Sequence, residues 1–168
     1  MKLNIGCGPS FDGDVRIDLR KTPAVNLIAD AHSLPFKNES FSYVICTEVL
    51  EHLESPFHTL KEIRRVLKKN GVAFITIPNL TEIRRILSIA RKPLRVRHIE
   101  IDHKQGWDAI EFHRLAHRVG LRILEIDRID WGGREKMKEK FKFLNSLLRH
   151  ILPKPLYYVH MKIVCQKV

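Results

Sequence analysis

The chain has 168 residues, and 30 Lys and Arg side chains against 19 Asp and Glu give it a formal net charge of +11. Apolar residues make up 44% of the sequence, which is enough for a packed core and unlike the composition of disordered chains. The length predicts one domain, and a domain of this size needs no disulfide or metal staple. No run approaches the roughly 18 consecutive apolar residues of a membrane-spanning helix, so we expect no integral membrane association.

The cysteines and the start of the chain bear on its location. Cys7, Cys46 and Cys165 are odd in number, far apart and without a CxxC pair. This usage argues for a reducing compartment and against a disulfide framework or a zinc site. A strand-like run begins at Leu3, which does not fit a signal peptide. We therefore expect a cytoplasmic protein with no metal site.

Short apolar runs alternate with helical patterns, which is typical of an α/β fold with a parallel sheet covered by helices. The predicted strands are 2–5, 14–17, 26–29, 41–46, 71–77, 121–127 and 156–166. The predicted helices are 56–69, 81–91, 108–119 and 134–151. The last strand follows a long helix, and we expect it to be an antiparallel strand at a sheet edge.

Helix 56–69 carries the clearest start and stop signals. Ser55 is placed to cap it, Pro56 suits its first position, and Asn70-Gly71 ends it. One face of this helix is apolar and should cover the sheet. The other face is basic and carries Lys61, Arg64, Arg65 and Lys68.

The first predicted strand runs into a glycine-rich turn, Gly6-Cys7-Gly8. Glycines there let the backbone turn sharply and approach a ligand closely. A dinucleotide-binding G-x-G-x-x-G would need glycine at position 11, where this chain has Phe11. This departure counts against a nicotinamide-dependent dehydrogenase.

Two aspartates end the next two predicted strands. Asp18 can accept hydrogen bonds from both hydroxyls of a ribose. Asp30 can accept from an exocyclic amine, while the next backbone N–H donates to a ring nitrogen. Leu34 and His32 could flank such a ring. These positions favour a site for an adenosine group.

The ordered segments IGCG, IDL, ADAHSLPF, FSYVICTEVLEHL and LKEIRRVLKKNGVAFITIPN resemble the class I S-adenosylmethionine-dependent methyltransferases. The likeness is to a small single-domain branch with D-A-x-x-L-P-F and E-V-L-E-H motifs. It covers residues 3–79 densely and 98–127 more loosely. It implies a Rossmann-like, mostly parallel seven-stranded sheet in the order 3-2-1-4-5-7-6, with an antiparallel last strand. It also implies a single domain over 1–168, in which 1–79 bind S-adenosyl-L-methionine and the basic 80–168 face the substrate.

The same resemblance implies roles for nine residues. The methionine moiety would meet Gly6, Cys7 and Gly8, and the ribose would meet Asp18 and Leu19. The adenine would meet Asp30 and Ala31, and the reacting end of the cofactor would meet Thr47 and Glu48.

Two features depart from the family pattern. Asn4 stands where the family usually has Asp, which removes a carboxylate from the end of the first strand. Only nine residues separate Gly8 from Asp18, too few for the usual helix. We expect a shortened first crossover that leaves one cofactor edge open, where a second subunit could pack to form a homo-oligomer.

Methyl transfer from a sulfonium needs alignment and exclusion of water, and the leaving thioether needs no proton. A general base is needed only for a poor nucleophile such as a hydroxyl or a protonated amine. The candidates are His98, His103 and Glu48, although either histidine could equally be an ordinary loop residue. His52 is expected to tie down the next helix, and Asn79 to cap the helix at 81–91 or to bind substrate.

The positive charge is unevenly distributed. Residues 1–80 hold 10 basic and 9 acidic side chains, and residues 81–168 hold 20 basic and 10 acidic. Two clusters stand out, Arg84, Arg85, Arg91, Lys92, Arg95 and Arg97, and then Lys136, Lys138, Lys140 and Lys142. They fit a phosphate-bearing partner such as RNA, an anionic membrane surface, or an ordinary solvated surface. No RNA-binding module is evident, which weakens the RNA interpretation.

The predicted function is transfer of a methyl group from S-adenosylmethionine to an unidentified acceptor, a small molecule or RNA. The alternative is a non-catalytic module that keeps the fold and binds S-adenosylmethionine or nucleic acid.

Overall fold

The computed structural model describes residues 1–79, 104–129 and 160–168. Its strands are β1 (Lys2–Ile5), β2 (Val15–Asp18), β3 (Leu27–Ile28), β4 (Phe41–Thr47), β5 (Leu67–Pro78), β6 (Leu121–Ile129) and β7 (His160–Lys167). They form one sheet in the order β3-β2-β1-β4-β5-β7-β6. Strands β1 to β5 are parallel, and β7 is antiparallel to both of its neighbours. The expected fold class, strand order and antiparallel last strand are confirmed.

The position of β7 agrees with the strand order that the resemblance implied and corrects the expectation from chain order alone. That expectation was an edge strand, but β7 lies between β5 and β6, with Ile163 opposite both Ile75 and Ile126. Met161, Ile163 and Cys165 are buried. Because both backbone edges of β7 are paired, the strand does not leave a row of unpaired amides at the sheet edge.

Helix α1 (Pro56–Val66) is shorter than predicted. Leu67 adopts an extended conformation and pairs with Phe41, so the chain enters β5 where three more helical residues were expected. The next pair in the register is Tyr43 with Val72, which makes the segment between the two pairs a bulge in β5. Asn70 takes a left-handed conformation within this bulge, with φ of 60°.

The start of α1 is held differently from the prediction. Ser55 occupies the capping position, but its hydroxyl makes no capping bond to the helix backbone. The Ser55 Oγ lies 2.8 Å from the Nδ1 of His58 instead. In helix α2 (Ala109–Arg118), by contrast, Asp108 caps the first turn by accepting from the amides of Ile110 and Glu111, both at 2.8 Å.

The core lies where the central strands meet the two helices. Leu60 and Ile63 of α1 and Phe112 of α2 are fully buried against the sheet. Burial of a side chain of this size contributes about 1.5–3 kcal/mol relative to exposure. All three cysteines are buried and free of disulfides. No helix within residues 1–79, 104–129 and 160–168 is long and apolar enough to cross a membrane.

The first crossover, residues 6–14, contains no helix, as its length predicted. The buried Asn4 holds it in place, because its amide Nδ2 donates to the carbonyl of Asp12 at 3.0 Å. A carboxylate could not make that bond, since it has no N–H. Phe11 and Leu19 are left largely exposed on this side. The Asn at position 4 therefore belongs to the shortened crossover rather than to a cofactor contact.

The predicted helices 81–91 and 134–151 lie outside the described residues, as do both basic clusters named above. Of the predicted strand 156–166, the described part begins at His160.

Candidate cofactor site

A cavity of about 560 Å³ opens where β1, β2 and β4 end. This is the carboxyl edge of the parallel strands, which is where ligands bind in open α/β sheets. Five of the nine predicted cofactor residues line it: Gly6, Asp18, Leu19, Ala31 and Glu48. The other four are not part of the lining: Cys7, Gly8 and Asp30 lie in the same loops, and Thr47 is the last residue of β4.

The glycine turn has the backbone geometry that the sequence suggested. Gly6 and Gly8 have φ of 64° and 52°, in the left-handed region that favours glycine. A Cβ at Gly6 would overlap the side chain of Val49, whereas a Cβ at Gly8 would meet no heavy atom within 4 Å. Cys7 lies between them with a buried side chain, and burial followed by the charge of Asp18 raises the pKa of its thiol. The turn therefore offers backbone, not a thiolate, to a ligand.

Asp18 joins the first two loops of the site. Its Oδ2 accepts from the amide of Gly8 at 3.0 Å, and its Oδ1 accepts from the amide of Arg20 at 2.9 Å. Each carboxylate oxygen can accept more than one hydrogen bond, so these contacts leave capacity for two hydroxyl donors. The carboxylate is thus fixed in place and lines the cavity at the same time.

Asp30 is tied to His32 and, through it, to the start of α1. Its Oδ1 accepts from the backbone amide of His32 and lies 2.8 Å from the His32 Nδ1. These hydrogen bonds lower the pKa of Asp30. The His32 Nε2 accepts from the amide of Ser55 at 3.3 Å. His32 therefore fastens this loop to α1, the task that the sequence assigned to His52, while His52 lines the cavity.

Leu34 does not occupy the predicted place beside an adenine ring. It is buried in the core, and its amide donates to the Oε2 of Glu62 at 2.8 Å. Ala31 and Leu53 line the cavity instead and supply apolar surface there.

Glu48 follows β4 with a left-handed backbone, φ of 53°, and lines the cavity. Its Oε2 lies 3.2 Å from the Nε2 of His160, the first residue of β7. Burial alone would raise the pKa of Glu48, but hydrogen bonding, above all from His160, holds it below its usual range. Glu48 is therefore ionised at neutral pH.

Glu51 lies beneath Glu48 and is fully buried. Burial, with the neighbouring charge of Glu48 as a further contribution, raises the pKa of Glu51 to about 8. At neutral pH its carboxyl group is therefore protonated and can donate to Glu48. The pair combines one neutral and one ionised carboxyl group, which is the arrangement that burial favours for two neighbouring acids.

His160 was not singled out from the sequence. It comes to the site because β7 runs antiparallel, so its first residue lies at the edge where the parallel strands end, opposite Pro78. A histidine at the start of a strand is the only local signal, and the contact itself depends on residues more than a hundred positions apart. The second half of the chain thus positions Glu48, a residue that lines this cavity.

Lys104 is a second contribution from that half, since it lines the cavity. Its amide donates to the carbonyl of Glu51 at 2.8 Å, and its ammonium pairs with Glu54. The predicted bases His98 and His103 lie outside the described residues, so their roles stay predictions. Asn79 is buried and bridges to Trp107. Its predicted helix cap involves the same undescribed segment.

The cavity suits S-adenosylmethionine on three counts. Its volume falls within the range of about 300–1,000 Å³ typical of small-molecule sites. The fixed carboxylate of Asp18 suits a ribose diol, and the ionised Glu48 suits a cation such as a sulfonium or ammonium. Outside the lining itself, the open space beside Gly8 leaves room for a ligand to extend along the glycine turn.

Comparisons with known proteins agree with this geometry. A family model described as a methyltransferase domain matches residues 14–75. An uncharacterised protein of Methanocaldococcus jannaschii, MJ0638, is 37% identical over 81 residues, which are 45% of this chain and 36% of that protein. The tRNA U34 carboxymethyltransferase of Campylobacter jejuni is 28% identical over 92 residues, 52% of this chain and 32% of that enzyme. The chain thus matches about a third of the length of these relatives.

A solved S-adenosylmethionine-dependent methyltransferase of Thermotoga maritima has the same fold, with a TM-score of 0.70 at 17% identity over 99% of this chain and 81% of that one. Together, the methyltransferase-domain match over residues 14–75 and the fold shared with solved S-adenosylmethionine-dependent methyltransferases indicate S-adenosylmethionine as the cofactor.

Proposed function

We propose that this chain transfers a methyl group from S-adenosylmethionine to an acceptor. The observation that carries the proposal is that Gly6, Asp18 and Glu48, which end three neighbouring strands or begin their loops, line one cavity. When bound, the cofactor supplies an electrophilic methyl group on a sulfonium, which the acceptor attacks in line with the carbon–sulfur bond.

Asp18 is proposed to hold the ribose, with Leu19 beside it. Its two oxygens are already oriented by the amides of Gly8 and Arg20, so they need no rearrangement to accept two hydroxyls. Gly6, Cys7 and Gly8 would meet the methionine moiety through their backbone, and Asp30 and Ala31 the adenine. Thr47 and Glu48 would meet the reacting end.

Glu48 is proposed to stabilise positive charge rather than to remove a proton. A carboxylate with a lowered pKa is a weak base but a good hydrogen-bond acceptor and counter-charge. The neutral Glu51 beneath it adds no opposing charge at neutral pH. If the acceptor needs a base, His98 and His103 remain the proposed candidates.

The acceptor is proposed to be RNA or a small molecule, and residues 80–168 to form its side of the site. The excess of basic side chains in that half supports an anionic or phosphate-bearing acceptor. The resemblance to a tRNA-modifying enzyme supports RNA, although it extends over only 92 residues. We also propose a cytoplasmic location and retain the open first crossover as a surface for a second subunit.

Labelled methyl transfer tests the proposal. The purified chain is incubated with S-adenosylmethionine labelled in its methyl group and with fractionated cell extract, with or without ribonuclease. We expect protein-dependent label in one fraction, and its loss with ribonuclease would identify RNA as the acceptor. An Asp18→Ala variant controls for label transferred by other enzymes. Cofactor binding without transfer to any fraction would contradict the proposal and favour the non-catalytic alternative.

A further inference from the structure

A second cavity, of about 630 Å³, lies at the opposite end of the sheet from the cofactor site. Helix α1 begins beyond the carboxyl end of β4 and returns to the start of β5. Its last turns therefore lie at the edge of the sheet where the parallel strands begin, which we call the amino edge. The end of α2 and the last residue of β7 reach the same edge. Five cations line this cavity against a single carboxylate, Glu39; they are Lys61, Arg64, Arg65, Arg118 and Lys167.

Two of the five cations are committed to the fold. Arg65 forms a two-point pair with Glu62, with both contacts at 2.7 Å, and also donates to backbone carbonyls of the loop before β4. Lys167 lies 3.1 Å from Glu39 and donates to the carbonyl of Leu67 at 2.7 Å. These two residues build the wall of the cavity and have little capacity for a ligand.

The other three cations have no carboxylate partner in the described part of the chain. The Lys61 ammonium lies 4.8 Å from the centre of the Phe57 ring, and the Arg118 guanidinium lies 5.1 Å from the same ring. The Arg64 Nε donates to the carbonyl of Gly120 at 3.2 Å. Contacts with a ring or through one nitrogen leave the remaining N–H donors available.

Helix ends explain only part of this charge. Cations near a helix C-terminus are favoured by its partial negative charge, and both Arg64 in α1 and Arg118, the last residue of α2, meet that description. Lys61 does not, because it lies more than a turn before the end of α1. An excess of unpaired like charges around one cavity is unfavourable unless an anion joins them.

We propose that this cavity, lined by Lys61, Arg64 and Arg118, binds the phosphodiester backbone of a nucleic acid. The three cations come from two helices, so successive phosphates of a strand match them better than one ion does. Among the described residues, the only apolar one in the lining, Val119, is buried, and a membrane-binding surface would need exposed apolar groups. The described lining also has no exposed aromatic ring to stack on bases, so binding should be independent of sequence.

This proposal does not require methyl transfer, because a nucleic acid bound at the amino edge need not be the acceptor. Its test also requires no S-adenosylmethionine. A failure to bind nucleic acid would therefore not bear on the proposed methyl transfer. A failure of methyl transfer would likewise not bear on nucleic-acid binding at this cavity.

The test is fluorescence anisotropy with the full chain and a labelled single-stranded RNA of about 20 nucleotides, with DNA of the same sequence in parallel. The double variant Lys61→Gln/Arg118→Gln keeps the hydrogen bond from Arg64 to the Gly120 carbonyl. Adding Arg64→Gln gives the triple variant, which removes all three cations. We expect the double variant to bind about 10-fold more weakly at low salt. Its plot of log affinity against log salt should be shallower by about 1.4, since each phosphate contact to a single strand contributes about 0.7.

Lys21→Gln is the charge control for these variants, because it removes an exposed cation outside this cavity. It should bind RNA as the parent does, and thermal unfolding should show that all variants fold. Equal binding by the parent and the triple variant would overturn the site, as would no binding by the parent. Binding of vesicles containing anionic phospholipid, with no binding of RNA or DNA, would overturn the assignment in favour of a membrane. If inorganic phosphate displaced the labelled RNA as well as unlabelled RNA at the same total phosphate concentration, the cavity would be a site for a single ion, and the proposal would be overturned.

Discussion

The His160 imidazole lies 3.2 Å from the Glu48 carboxylate, joining the first residue of β7 to the loop that follows β4. The two residues are far apart in sequence but meet because β7 inserts antiparallel beside β5. The contact holds a carboxylate at the cavity wall in its ionised form. The last strand therefore positions a residue of the cavity wall as well as joining β5 to β6 in the sheet.

Replacing His160 should weaken cofactor binding. In His160→Ala, Glu48 loses one of its hydrogen-bond donors, its pKa rises, and its interaction with a cation weakens. A charge-assisted hydrogen bond contributes about 1.5–3 kcal/mol, so we expect at least about a 10-fold loss of affinity by calorimetric titration. Lys162→Ala, in the same strand but paired with the exposed Glu125, is the control. Equal affinity of His160→Ala and the parent would show that the contact has no part in binding.

Glu51 should make the stability of the fold depend on pH. Its pKa is raised from 4.5 to about 8, so the folded state retains a proton that the unfolded state loses between these values. The stability that the fold has with Glu51 protonated is fully present below about pH 4.5 and is lost as the pH rises to about 8. Glu51→Gln removes this dependence, because its amide stays neutral.

We therefore expect the unfolding free energy of Glu51→Gln, relative to that of the parent, to rise by a few kcal/mol between about pH 5 and pH 8.5. Each unit of pKa difference corresponds to about 1.4 kcal/mol. Urea unfolding at several pH values measures this difference. Glu111→Gln, at an exposed position of α2, is the control for replacing a glutamate by glutamine at the surface. A constant offset of Glu51→Gln from the parent would mean that Glu51 is already ionised in the fold.

Restoring the family aspartate at position 4 should destabilise this chain. Asn4→Asp loses the donor to the Asp12 carbonyl and buries a charge close to Asp12 and Asp14, so we expect a loss of about 3 kcal/mol in unfolding free energy. Asn26→Asp is a matched control. Its Oδ1 accepts from the Arg16 amide at 2.9 Å, and a carboxylate can keep that bond. Equal losses for the two variants would contradict the role given to Asn4.

Gly8→Ala separates a backbone cost from a ligand clash. Its left-handed backbone predicts a stability loss of about 1–2 kcal/mol, although the added Cβ meets no protein atom. If the cofactor approaches Gly8 closely, affinity for it should fall about 10-fold or more in the folded variant. Asn70→Ala, also left-handed but in the β5 bulge, should lose stability and keep full affinity. Unchanged affinity in Gly8→Ala would place the ligand elsewhere.

The sequence predicted the features that depend on local pattern. The turn at Gly6 and Gly8, the carboxylate of Asp18 at the end of β2 and the absence of a helix in the first crossover follow from residue type and spacing. The strand order came from the family resemblance, and the structure agrees with it.

Features that depend on tertiary contacts were missed. Ser55 has the identity of a helix cap, but His58 competes for its hydroxyl. Leu34 was expected beside the ligand because of its motif, yet it is buried beneath α1. His160 and the basic cavity at the amino edge arise from β7 and α2 folding back on the first half of the chain, and no periodicity encodes such distant pairings.

The most direct measurement is calorimetric titration of the chain with S-adenosylmethionine, comparing the parent with Asp18→Ala. We predict saturable binding by the parent and about a 100-fold loss in the variant, because two charge-assisted hydrogen bonds of at least about 1.5 kcal/mol each disappear. Asp18→Asn, which keeps one carbonyl acceptor, should fall between them, and thermal unfolding should show that both variants are folded. No binding by the parent, or undiminished binding by folded Asp18→Ala, would contradict the cofactor site described for this fold.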